Sequence, residues 1–227
     1  MLKLHKVRKE FETEDSAVMA VDDVSLSVDN NEFIGIVGHS GSGKSTLLNM
    51  MAGLLTPTVG EILFHDDDIN KMNDKQISEL RNKKIGYILQ GQTLMPNLTV
   101  YENIILPLTF NHEKICKTDV FSLMSDIGID AIANKYPSEI SGGEAKRCAI
   151  ARALILKPEL LLADEPVSDL DPDNVDIIIS IFKKYAKNDM SIIMVTHNMN
   201  TIDDCDVVYE MHNGKLKNSN CKPKKKK

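Results

Sequence analysis

The sequence lacks any apolar run approaching the roughly 18 residues of a bilayer span. No membrane-spanning segment is expected, so work at a membrane would go through another chain. A secretory leader core is missing as well: Met1-Leu2-Lys3-Leu4-His5-Lys6 alternates like a strand. Cysteine is sparse. Cys116, Cys148, Cys205 and Cys221 contain no C-x-x-C pair, which argues against a metal site or disulfide framework and for a reducing cytosol. There is no excess of positive charge. With 27 basic against 33 acidic residues the net charge is −6, so no general nucleic-acid-binding surface is suggested. Internal repeats are absent. What remains is a chain of 227 residues, 42% hydrophobic and 26% charged. That balance is ordinary, and the length suits one large α/β domain or a domain with a lobe.

One stretch organises the rest. Gly38-His39-Ser40-Gly41-Ser42-Gly43-Lys44-Ser45-Thr46 fits G-x-x-x-x-G-K-[ST] without a mismatch. Phe33-Ile34-Gly35-Ile36-Val37 before it reads as a buried strand, and Leu47, Leu48, Met51 and Leu54 follow at helical spacing. The glycines let backbone N–H groups turn inward around phosphate oxygens, aided by the helix N-terminus. Lys44 places a charge on the β- and γ-phosphates, and Ser45 offers a hydroxyl to Mg²⁺.

Around this loop the chain reads in order. Leu2, Leu4 and Val7 begin a strand, Phe11 to Ser16 is a polar turn region, and Met19 to Val28 is a second strand with Val24, Leu26 and Val28 on one face. These two strands suggest a small antiparallel sheet beside the main one. Pro57 to Gly60 is a turn, Glu61 to Phe64 a strand, and Ile77 and Leu80 lie on a short charged helix. Ile85 to Leu89 is a strand ending at Gln90. From there to about Ile150 the spacing is helical, with no clear strand, and reads as an inserted lobe. The sheet resumes at Leu160-Leu161-Leu162-Ala163, followed by a helix from about Asp173 to Lys187 and strands Ser191–Val195 and Val207–Met211. A turn at Asn213-Gly214 closes the fold. Lys222 to Lys227 reads as a solvated tail or an added remnant, favoured over a lipid-head-group contact.

Further chemistry sits at segment ends. Leu160 to Ala163 delivers Asp164 and Glu165 to a strand tip, where ligands of open parallel sheets bind. Asp164 suits a Mg²⁺ shell, and Glu165 can orient or deprotonate an attacking water. Alone the pair would equally be a solvated acidic turn; the upstream phosphate loop tips the balance. Ser141-Gly142-Gly143-Glu144 precedes an expected helix from Ala145 to Leu156 and can form a second anion site. Gln90 offers an amide to metal or water. His197 ends another strand and could reach a γ-phosphate.

Taken together, these motifs strongly resemble the ATP-binding cassette (ABC) family of transporter ATPases over nearly the whole chain. Gly38 to Thr46 resembles Walker A, Gln90 the Q-loop glutamine, and Ser141-Gly142-Gly143-Glu144 the signature motif. Asp164-Glu165 resembles Walker B with its catalytic glutamate, Ser168-Asp169-Leu170-Asp171 the D-loop, and His197 the switch histidine. All occur in family order. Three positions depart from the common pattern without removing a catalytic group. Phe11 stands where an adenine-stacking tyrosine is usual, Glu144 where glutamine is commoner, and Asn198 where aspartate is common. Gln90 to Asn103, Ala163 to Pro166 and the short length resemble the lipoprotein-release and macrolide-export branch, although cell-division cassettes match much of this.

The resemblance implies a P-loop NTPase (RecA-like) α/β core with an antiparallel β subdomain and an inserted α-helical subdomain. The core would comprise residues 1–90 and 151–221, the helical lobe 91–150 and the basic tail 222–227. ATP and Mg²⁺ are the implied cofactors, the ion falling to Ser45, Gln90 and Asp164. Phe11, the Gly38–Thr46 loop, the signature residues and Asp171 would contact nucleotide, with Glu165, His197 and Gln90 catalytic. Two copies would sandwich two ATP molecules, each between one Walker A and the other copy's signature, and pass the energy of closure to an integral-membrane permease. The chain would sit peripherally on the cytoplasmic face, with the permease docked near Gln90 to Asn103. A non-transport cell-division or peptide-sensing complex is the alternative. DNA-repair cassettes are disfavoured, because Lys44 to Ser141 is too short for coiled-coil arms, and ribosomal ones carry two cassettes per chain.

Overall fold

The computed structural model describes residues 1–12, 17–91, 94–188 and 190–219. The tail and Cys221 therefore lie outside the described residues, as does the central part of the turn expected after Phe11.

Two sheets carry the architecture. Strands β1 (Leu2–Glu12), β2 (Ala17–Val28), β4 (Val59–Phe64) and β5 (Asp67–Asp68) form a four-stranded sheet in the order β2-β1-β4-β5, antiparallel throughout. The second sheet has six strands: β3 (Phe33–Val37), β6 (Ile85–Ile88), β7 (Leu160–Asp164), β8 (Ser191–Thr196), β9 (Val207–His212) and β10 (Lys215–Asn218). Its order is β10-β9-β3-β8-β7-β6, parallel except for the β9–β10 hairpin. The expected antiparallel sheet is present. A further strand, β10, follows the Asn213-Gly214 turn at which the sequence pattern closes the fold.

The helices are α1 (Lys44–Met51), α2 (Asp74–Lys84), α3 (Val100–Phe110), α4 (Lys117–Ile127), α5 (Gly142–Leu154) and α6 (Pro172–Ala186). Helix α1 stops at Met51, before Leu54, which lies in the following loop and is 53% exposed. Helix α5 opens at Gly142, three residues earlier than expected. Its start is fixed by a capping box: the Glu144 N–H donates to Ser141 Oγ, and the Glu144 carboxylate accepts from the Ser141 N–H.

Strands β3, β7 and β8 are buried at every position, as expected of parallel strands covered on both faces. Alternate side chains feed two apolar clusters. Phe33, Leu161, Ala163, Ile192 and Met194 join one cluster with α3, α4, α5 and α6. Ile34, Ile36, Leu160, Leu162, Ile193 and Val195 join the other with α1 and the antiparallel sheet. The helical region is thus continuous with the core of the parallel sheet. A boundary at residue 150 falls inside α5, whose Ile150, Ala151 and Leu154 are all buried in the first cluster. Among the described residues no helix is long and apolar enough to cross a membrane.

Candidate functional site

Strand register assembles the site. In the parallel sheet Val37 pairs with Thr196, Asp164 with Val195, and Ile88 with Ala163. The residues that follow, Gly38, His197, Glu165 and, beyond Leu89, Gln90, therefore leave neighbouring strand tips along one edge. This is the edge at which open α/β sheets bind ligands.

The phosphate loop runs from Gly38 into α1. The N-terminus of α1, like that of α4, has no side-chain cap, whereas α2, α3, α5 and α6 are each capped by a side chain. Its first N–H groups are left for an anion. Gly43 takes φ +105°, and a Cβ there would lie 2.1 Å from the Ala20 carbonyl of β2, so both conformation and space demand glycine. Lys44 is 7% exposed, and its Nζ donates to the carbonyls of Gly38 (2.8 Å) and His39 (3.0 Å). His39, Ser40, Gly41 and Ser45 are exposed, Thr46 is half-buried, and Ser42 is buried with no partner for its hydroxyl.

Asp164 and Glu165 are 5% and 6% exposed, too buried for a solvated turn. Asp164 Oδ1 has no hydrogen-bond partner. Burial holds the Asp164 carboxyl above its ordinary pKa; a hydrogen bond with Ser45 opposes this, the Glu165 charge adds to it, and Lys44 opposes it. A buried, unpartnered carboxylate oxygen beside a hydroxyl and an ammonium is a fitting donor set for a divalent cation with phosphate. Glu165 takes the left-handed conformation (φ 48°), fixed by its N–H donating to the Val195 carbonyl and its own carbonyl accepting from Ser168. Such local strain persists where surrounding contacts impose it. It aims the carboxylate at His197, whose Nδ1 lies 3.0 Å from Glu165 Oε2. The His197 side chain itself is largely exposed.

The remaining candidates are less closely drawn in. Gln90 is exposed. The loop beyond it is pinned by fully buried Asn103, whose amide nitrogen donates to the carbonyls of Met95, Leu98 and Thr99 while its oxygen accepts from the Met95 N–H. Phe11 is 41% exposed, with Lys9 Nζ 5.3 Å from its ring centroid. It pairs with Val18 of β2, the strand that backs Gly43. Ser141 and Gly142 are exposed.

Two acidic candidates are engaged by their own helices. The Glu144 carboxylate is bound by Ser141, whose N–H holds its pKa down. Asp171 caps α6, accepting from the Asn174 amide and N–H, and its pKa is lowered by them. In the single chain both carboxylates therefore cap their own helices.

Two residues of α5 carry no sequence signal. Lys146 Nζ is buried without a hydrogen-bond partner and feels the charges of Asp169 and Glu165. Arg147 donates to Asn174 Oδ1 at 2.6 Å, linking α5 to α6. No local spacing flags either helix contact, because the partners lie in separate segments. The capping pattern at Ser141 and Glu144 could have located the start of α5.

Residues 21–168 match a family model described as ABC transporter. The chain is 37% identical over 223 residues to the lipoprotein-releasing system ATP-binding protein LolD of Wigglesworthia glossinidia brevipalpis, covering 97% of each chain. It is 38% identical over 220 residues to the methionine import ATP-binding protein MetN 1 of Listeria monocytogenes, covering 95% of this chain but 65% of that relative. The dimeric ATP-binding cassette MJ0796 bound to ADP and Pi superposes with a TM-score of 0.88 at 32% identity, over 96% of this chain and 98% of that one.

Proposed function

The chain belongs to the ABC transporter family as an ATP-hydrolysing, ATP-binding subunit, and on that premise we propose that two copies close around two ATP molecules to drive a separate membrane permease. The observation that carries this reading is the contrast at one sheet edge. Asp164, Glu165 and His197 stand at adjacent strand tips of one chain and Lys44 opens the helix after a third, while Ser141 and Gly142 stand exposed, with open space where a Gly142 Cβ would lie. The site of one chain is therefore half of a composite.

In this reading the N–H groups of the loop and Lys44 bind the β- and γ-phosphates, and Phe11 offers a face to adenine. Ser45, Asp164 and Gln90 would hold Mg²⁺, which when bound supplies charge neutralisation across the phosphates. Glu165 accepts the proton of the attacking water, held in its pose by its left-handed backbone and by His197. The partner copy's signature turn adds the first N–H groups of α5, and the Ser141 hydroxyl once it turns from the Glu144 carboxylate, as donors to the γ-phosphate.

The permease would dock beside Gln90, where Leu89 (47% exposed) and Met95 (49% exposed) leave apolar surface, Met95 being anchored by Asn103. The chain would then sit on the cytoplasmic face of a membrane. Export or extraction of a lipoprotein, peptide or drug is the favoured cargo class. It is supported by end-to-end correspondence with LolD, against partial coverage of MetN. Affinity purification from solubilised membranes tests this: a polytopic permease with a large extracytoplasmic domain should copurify. Recovery of a cell-division or signalling partner would favour the non-transport alternative, and recovery from the soluble fraction alone would refute membrane coupling.

A further inference from the structure

Gly142 and Gly143 are adjacent in sequence, yet their surroundings differ completely. A Cβ on Gly142 would meet nothing within 4 Å. A Cβ on Gly143 would lie 2.2 Å from Asn174 Oδ1, 2.5 Å from its Cγ and 2.8 Å from its Nδ2. Every one of those atoms belongs to the Asn174 amide, and none belongs to backbone. The backbone of Gly143 is ordinary helix, so its need for glycine is a matter of space.

Asn174 cannot simply swing away. Its Oδ1 accepts from Arg147 at 2.6 Å, its Nδ2 donates to Asp171 at 2.7 Å, and its own N–H donates to Asp171 at 3.0 Å. Gly143 and Arg147 are four residues apart and so share one face of α5. Asn174 covers that face for a full turn while also closing the cap of α6.

We propose that Asn174 is a positioning residue: it fixes the pose of the Ser141–Gly142 turn, and Gly143 is glycine because the Asn174 side chain fills the space a Cβ would take. The proposal rests on the reading of that turn as half of a composite ATP site. Gly142, by contrast, has open space before it. Alanine at 143 would displace Asn174, break its bonds to Arg147 and Asp171, and shift the turn.

The test is a suppressor experiment on the full chain, reading ATP turnover by phosphate release together with a thermal melt. Gly143→Ala should lower kcat by roughly ten- to a hundredfold, the scale of a misplacement near 1 Å. Asn174→Ala should lower kcat several-fold and leave KM near wild type, because the phosphate loop is untouched. The double variant should return to the level of Asn174→Ala, since the clashing atoms are gone. If Asn174→Ala does not fold, Asn174→Ser also removes the clashing amide and should give the same rescue. A double variant no more active than Gly143→Ala would overturn the proposal, as would wild-type turnover in Asn174→Ala. Ser141→Ala separates the two levels. Wild-type turnover there would sink the composite-site reading and this inference with it; impaired turnover there, with no rescue at 143, would sink this inference alone.

Discussion

The phosphate loop and the signature turn are both glycine-bearing leads into a helix, but the chain treats them in opposite ways. The first is enclosed. Ser42 and Lys44 are each 7% exposed, and Gly43 is held against the Ala20 carbonyl. Helix α1 has no side-chain cap, so its N–H groups are kept for a ligand. The second is open and already satisfied. Ser141 and Glu144 cap α5 reciprocally, and Ser141 and Gly142 face outward. One is a phosphate loop built within its own chain; the other is a capped turn that faces outward. Damage to the first should abolish nucleotide chemistry in any copy. Damage to the second should spare binding and weaken only what a second copy receives.

The largest effect is expected on the enclosed side. Lys44→Ala should abolish ATP binding or turnover while the melt stays near wild type, because Lys44 Nζ bonds only two carbonyls of its own loop. Wild-type turnover in this variant would remove the loop from the mechanism. Glu165→Gln comes next. It keeps the side chain's shape and leaves Asp164 and Ser45 in place, so ATP should still bind and the two copies should close. Turnover should fall by about 10²–10⁴-fold, the usual contribution of a general base. Size-exclusion chromatography with Mg-ATP should then show a trapped dimer. Near-normal turnover would refute the catalytic role of Glu165, and low turnover with a monomer peak would show that closure needs the permease.

A smaller effect is expected on the open side. Ser141→Ala removes one hydroxyl directed at charge, and hydrogen bonds to charged groups are worth about 1.5–3 kcal/mol, so turnover should fall roughly ten- to a hundredfold. ATP affinity of the single chain should be unchanged. Loss of the cap should also cost about 1 kcal/mol of stability. Weakened ATP binding by the monomer would mean that the turn serves its own chain's loop, and the distinction between the two helix leads would collapse.

Most of the enclosed site was legible in sequence because its parts are local. A glycine loop between a strand and a helix, and carboxylates at the end of Leu160 to Ala163, are patterns of adjacent residues. The parallel strands were legible as apolar runs because both of their faces are covered. What escaped depends on partners distant in sequence. Nothing in residues 91–150 reveals that their apolar faces join Phe33, Leu161 and Ile192 in one core. Helix α1 was read through to Leu54 because periodicity continues past a stop that only the fold enforces. Strand β10 is short and polar, and owes its existence to pairing with β9. The motifs around Glu144 and Asp171 point to ligand contacts but not to the caps that their carboxylates form with Ser141 and Asn174. Asn174 itself carries no motif; its importance lies in the space it takes from Gly143.

The smallest effect concerns stability, and it asks whether the enclosed site is strained in a way the open turn is not. Asp164 is buried with one oxygen unpartnered, whereas the exposed turn at Ser141 leaves no such group. Burial raises the folded-state pKa of Asp164 above its unfolded value. Protonation therefore favours the folded chain. The favourable contribution is fully present below the unfolded pKa and is lost as pH rises through the folded pKa. At neutral pH the nucleotide-free chain carries a charge it holds poorly. Asp164→Asn removes that charge at nearly the same volume, and a neutral amide costs less to bury. Its melting temperature should exceed wild type by a few degrees, about 2–4 °C for each kcal/mol gained. The gap should close as pH falls through the folded pKa of Asp164. Mg-ATP should reverse the order, stabilising wild type by mass action while leaving the variant nearly unmoved. Melts at several pH values, with and without Mg-ATP, decide it. A gap that widens on acidification would show that another group sets the pH dependence. A variant less stable than wild type at neutral pH without nucleotide would show that Ser45 and Lys44 already compensate the Asp164 charge.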